Sequence, residues 1–180
     1  MPTVLVPLAQ GCEELEAVTI MDILRRAGIE VVSASLDAQP VRASRGTVLI
    51  ADTTLDAALE HSFDMVVLPG GQPGSHHLQA DARILALVRD MVTQGRYVAA
   101  ICAAPSVLAT AGVLDGKRAT SFPGALDAFP QVQQQSARLV EDGKLITSRG
   151  PGTAMDFALT LVERLTSPAR RAEVESGLQR

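Results

Sequence analysis

Short apolar runs alternate with helix-periodic segments along almost the whole chain, and that alternation constrains the fold more than any other feature. TVLVPL (3–8), EVVSASL (30–36), DMVVLP (64–69) and YVAAIC (97–102) are each bounded by turn residues and read as buried strands. Between them, Ala17, Ile20, Met21, Leu24 and Ala27 recur at helical spacing from Leu15 to Ala27, where Gly28 stops the pattern, and 82–93 repeats this before Gly95. Strand, helix, strand in that order demands right-handed crossovers and a parallel sheet covered on both faces. Aromatic residues make up only 3% of the chain, so the core has to be built from Ala, Val, Leu and Ile, as buried parallel sheets are. The expectation is one α/β domain over residues 1–180, a sandwich with a mostly parallel central sheet and helices on both faces.

Nearer the end, ARLVEDGKLITSRG reads as a hairpin around Asp142-Gly143 with a type I′ turn. GTAMDFALTLVERL follows as an amphipathic helix beginning at Thr153, and SPARRAEVESGLQR as a peripheral helix capped by a serine with proline behind it. Leu15, Val18 and Ile23 fall outside the core stripe of the first helix, which predicts a second apolar face and a homodimer.

With 16 Lys+Arg against 20 Asp+Glu and no run of like charges, nucleic acid is not favoured electrostatically. Two cysteines, Cys12 and Cys102, make no disulfide framework, and MPTVLVPLAQG lacks the basic start and long apolar stretch of a secretory signal. A cytoplasmic protein with reduced thiols is expected.

The chemistry concentrates in YVAAICAAPSVLATAGVL (97–114), which carries no charge. Its length touches the membrane threshold of about 18 residues, but Pro105, Ser106, Thr110 and Gly112 interrupt it and its first half matches the other strands, so no membrane association is expected. It parses as strand Tyr97–Ile101, a tight turn at Cys102, and a helix over Ala103–Ala111. Cys102 then sits at the carboxyl edge of the sheet, where open α/β folds place their sites. A helix N-terminus favours the thiolate, and the amide after such a nucleophile helps bind an oxyanion. LPGGQPG (68–74) ends another strand in two glycines that allow close backbone approach. A small buried hydrophobe remains the other reading of Cys102.

GCEELEA, LPGGQPG, AAICAAP and TSRGPGT, in this order and spacing, resemble the ThiJ/PfpI superfamily, in the branch of the Parkinsonism-associated deglycases and bacterial YajL proteins. The resemblance implies a flavodoxin-like fold, a homodimer and an easily oxidised nucleophile, Cys102, paired with a protonated glutamate, Glu16. It implies oxyanion amides from Gly71 and Ala103, and an anion-attracting entrance at Arg45 and Arg26, the latter arriving from a second subunit. Gly70, Phe122, Gly150 and Pro151 would line the pocket. The implied activity is a cofactor-independent, metal-free deglycase or glyoxalase-III-like hydrolysis of methylglyoxal or glyoxal adducts, whose partners are small reactive carbonyls or glycated protein groups.

Two departures qualify this. Human-type members have a histidine in a THP segment where this chain has SFPG, with Phe122 in that place, and PfpI-type peptidases have a histidine directly after the cysteine, where this chain has Ala103. No Cys-His pair is visible, so a protease is disfavoured; His76 and His77 read as solvated loop residues, and Cys12 as packing. The competing class is a non-enzymatic stress protein in which oxidation of Cys102 switches chaperone-like binding. A dinucleotide binder lacks G-x-G-x-x-G, and a receiver domain would need an aspartate where Pro69-Gly70 stands.

Overall fold

Alternate residues of each central strand enter two separate cores, which is why the strands read as continuous apolar runs. The computed structural model describes residues 1–180. In chain order its elements are β1 (Thr3–Leu8), α1 (Glu14–Arg26), β2 (Glu30–Ser35), β3 (Val41–Arg42), β4 (Val48–Leu49), β5 (Thr53–Thr54), α2 (Leu55–Ala58), β6 (Met65–Leu68), α3 (Gly74–Ala80) and α4 (Ala82–Thr93). There follow β7 (Tyr97–Ile101), α5 (Pro105–Thr110), β8 (Arg118–Ala119), β9 (Gln133–Gln134), β10 (Leu139–Asp142), β11 (Leu145–Ser148), α6 (Ala154–Leu165) and α7 (Pro168–Gly177).

Seven strands form the main sheet in the order β10-β11-β7-β6-β1-β2-β5, all parallel except β10, which pairs antiparallel with β11. Val4, Val6, Met65, Val67, Ala99 and Ile101 meet α1 and α6 on one face, through Ile20, Leu24, Phe157 and Leu161. Leu5, Val66, Leu68, Val98 and Ala100 meet the opposite helical layer through Leu78, Ile84, Val88 and Leu108. This is the expected flavodoxin-like sandwich. No helix is long and apolar enough to cross a membrane.

Three local expectations are corrected. Helix α5 starts at Pro105 rather than at residue 103, because 102–104 are spent on a turn. The hairpin turns on Gly143-Lys144, since Asp142 already pairs with Leu145; only Gly143 has positive φ, the sign pattern of a type II′ turn. Ile23 is buried in the first core, leaving Leu15 and Val18 as the exposed large apolar residues of α1. Helix α6 begins at Ala154 after a single 3₁₀ turn over Pro151–Thr153, and α7 is capped as expected, the Ser167 hydroxyl accepting from the Arg170 amide.

Candidate active site

The carboxyl edge of β7 turns so sharply that Cys102 adopts φ +64°, a left-handed conformation that costs a non-glycine residue roughly 1–3 kcal/mol. Its neighbours hold it there. The Cys102 amide donates to the Ser148 carbonyl (3.0 Å), and its carbonyl accepts from the Phe122 amide (2.7 Å). The sulfur consequently faces the amides of Gly71 and Ala103, both of which stabilise negative charge on it. Those are the two amides that the resemblance implied as oxyanion donors.

Glu16 reaches the same sulfur from the first core. On α1 it occupies the stripe of Ile20, Ile23 and Leu24, so the helix carries its carboxyl inward, and no part of it is exposed to solvent. Its Oε2 accepts from the Gly70 amide at 2.7 Å, its carboxyl lies close enough to the Cys102 side chain for each to shift the other's ionisation, and Oε1 has no hydrogen-bond partner. Only glycine fits at 70, because a Cβ there would stand 2.5 Å from the Cys102 Cβ and 2.8 Å from Glu16 Oε2.

Burial pushes the Glu16 carboxyl up from 4.5 to about 7, against the pull of the Gly70 amide and the Cys102 side chain. The Cys102 thiol is also pushed up, to about 12, first by burial and then by the negative charge of Glu16. This corrects the expectation of a thiol made acidic by its helix N-terminus alone: α5 is a single short helix beginning three residues later. The thiol favours the carboxylate while the Glu16 charge opposes ionisation of the thiol, so a thiolate at 102 requires the proton to reside on Glu16.

Above the sulfur opens a cavity of about 270 Å³ lined by Glu13, Ser44, Arg45, Gly71, Gln72, Cys102, Ala103, Phe122 and Pro151. Gly150 lies against Phe122, where a Cβ would meet the ring at 3.5 Å. Arg45 lines the cavity; Arg26, expected there from a second subunit, does not line that of its own chain. Arg26 pairs with Asp22 (2.7 Å) at the far end of α1, about 15 Å along the helix axis from Glu16, so it does not reach the cavity of its own chain. His77 lines a different cavity with Leu8, Gln10 and Asp81, and neither it nor His76 borders the Cys102 pocket. No group of three or more His, Cys, Asp or Glu side chains is assembled that would hold a metal ion.

Sequence reading missed Glu13, Ser44 and Gln72. The Glu13 carboxylate accepts from the Leu15 amide and the Ser44 hydroxyl (2.9 Å), while Glu14 accepts from the Arg45 amide (3.0 Å) and Ser44. The two acids thus fasten the turn that carries Arg45 to the start of α1. Acids at a helix start are normally explained by capping and the macrodipole, which hid this second task.

A profile described as the DJ-1/PfpI family matches residues 2–164. Protein dj-1beta of Drosophila melanogaster is 43% identical over 179 residues, covering 97% of this chain and 95% of that protein. Glutathione-independent glyoxalase DJR-1.2 of Caenorhabditis elegans is 32% identical over 163 residues, covering 89% and 87%. Among solved structures, oxidized Toxoplasma gondii DJ-1 superposes with a TM-score of 0.95 at 40% identity, covering 99% of this chain and 98% of that one.

Proposed function

The chain belongs to the DJ-1/PfpI family, and from that premise we propose that it is a cofactor-independent hydrolase of methylglyoxal, glyoxal and their adducts, acting in the cytoplasm. One observation carries this reading: Cys102 stands beside the buried Glu16, whose charge opposes ionisation of the thiol, with the amides of Gly71 and Ala103 facing the sulfur. The thiolate adds to the aldehyde carbon, forming the S–C bond as the carbonyl pair moves to oxygen, where the two amides receive the charge and Glu16 supplies the proton. Glu16, now a carboxylate, takes the hydrogen from that carbon and returns it to the neighbouring one through an enediol, leaving a thioester. Water cleaves the thioester, releasing lactate or glycolate and the free thiol. One carbon is oxidised and its neighbour reduced within the same molecule, so no external redox partner enters. With an adduct, the same thiolate attacks the aldehyde-derived carbon.

Product formation from methylglyoxal, with and without a glycated peptide, tests the reading: wild type turns over and Cys102→Ser falls to the uncatalysed background. Equal rates for the two proteins would remove it. A second reading, redox sensing, is favoured by the same amides and protonated acid, which would hydrogen-bond the oxygens of a Cys102 sulfinate. Holdase activity that depends on oxidation, without any turnover, would decide for it.

We also propose a homodimer, with Leu15 and Val18 of α1, 51% and 44% exposed, in the interface and Arg26 delivered to the partner's pocket. Light scattering at micromolar concentration gives twice 18.9 kDa if this holds; the monomer mass would exclude it.

A further inference from the structure

We infer that Phe122 and Pro151 form an apolar wall that selects 2-oxoaldehydes bearing an alkyl or aryl substituent and seats that substituent on the side of the sulfur away from Arg45. This rests on the dicarbonyl reading above and names its substrate class.

The strand order divides the pocket. Along β11-β7-β6-β1, Pro151 follows β11, Cys102 and Ala103 follow β7, Gly71 and Gln72 follow β6, and Glu13 follows β1. Ser44 and Arg45 are tied to the β1 end through Glu13 and Glu14. Every charged lining side chain therefore lies towards β1, and the apolar ones, Ala103, Phe122 and Pro151, lie towards β11.

Phe122 is held in place by its backbone, not by its ring. Its amide donates to the Cys102 carbonyl at 2.7 Å, so the side chain is delivered beside the nucleophile, with Gly150 next to the ring. Phe122 is 50% exposed, an unusual cost for the largest apolar residue in the cavity, and the apolar area it shows is area that a bound substituent would cover. Glyoxal presents only hydrogen there, whereas methylglyoxal presents a methyl group and longer 2-oxoaldehydes present more.

The test compares alkylation of Cys102 by iodoacetamide and by iodoacetanilide, in which the thiolate displaces iodide and forms the S–C bond. Rates are normalised to those of glutathione and located by peptide mass spectrometry. Wild type favours the anilide by about fivefold, Phe122→Leu keeps most of that preference, and Phe122→Ser loses it. In parallel, the methylglyoxal-to-glyoxal ratio of kcat/KM drops about threefold in Phe122→Ser. Equal normalised rates in wild type, or ratios untouched by Phe122→Ser, overturn the wall. An anilide preference without turnover of either dicarbonyl overturns the substrate class and the activity while the apolar wall stands; turnover without preference does the opposite.

Discussion

Cys12 and Cys102 are nearly alike by the usual measures of thiol reactivity. Both are buried in the same core, both stand just past the carboxyl end of a parallel strand, and burial pushes both thiols up to about 12. They differ in what surrounds them. The backbone of Cys12 is locked, its amide donating to Ala9 and its carbonyl accepting from Ser44, and the glycine-rich loop after β6 is pressed against it. At Cys102 the same loop contributes an amide instead of a lid, a cavity opens above the sulfur, and the nearest acid, Glu16, is raised by burial to about 7. Burial therefore does not distinguish the two; the cavity and the neighbouring acid do.

The comparison breaks most visibly if the lid is forced. A Cβ at Gly74 would stand 2.6 Å from the Cys12 Cα and amide nitrogen, a collision with backbone that cannot rotate away. Gly74→Ala should lose about 4 kcal/mol in chemical denaturation and make Cys12 alkylatable under native conditions. Stability within 1 kcal/mol of wild type would mean the loop yields freely and does not seal Cys12.

Glu16 gives the next largest effect. Its folded carboxyl lies near 7 against an ordinary 4.5, so the native state binds its proton more tightly than the unfolded chain does. The resulting stabilisation is complete below about pH 4.5, declines as the unfolded carboxyl ionises, and is gone above about 7, a fall of about 3 kcal/mol. Relative to wild type, Glu16→Gln should gain that amount of stability across the window. Parallel pH-stability curves for the two proteins would show that Glu16 titrates like an exposed acid and supplies no held proton.

The smallest effect sharpens the contrast between the thiols themselves. Limiting peroxide should place two oxygens on Cys102 at least about tenfold faster than any on Cys12, which reacts only after local opening. Oxygens mapped mainly to Cys12 would reverse the assignment.

Much of this was legible beforehand. β1 occupies 3–8 and α4 occupies 82–93 as read, because glycine, proline and turn residues bracket uniform periodic runs. Glu16 carried a signal that charge obscured: it lies on the Ile20, Leu24 stripe and therefore had to face the core. What no local pattern contains is the arrival of Gly70 from β6 to meet it, a contact across 54 residues. Ile23 was misplaced for the same reason, since the α1 stripe is widened by α6, whose position the α1 sequence does not encode. Helix α5 was extended too far back because apolar periodicity cannot reveal that Cys102 takes a left-handed turn.

That turn sets stability against chemistry at one residue. Glycine occupies φ +64° without steric penalty, so Cys102→Gly would relax the corner, and drift towards a more durable chain runs directly towards one without the thiol. The residue the backbone at 102 would accept most readily is the one that leaves the pocket without a sulfur.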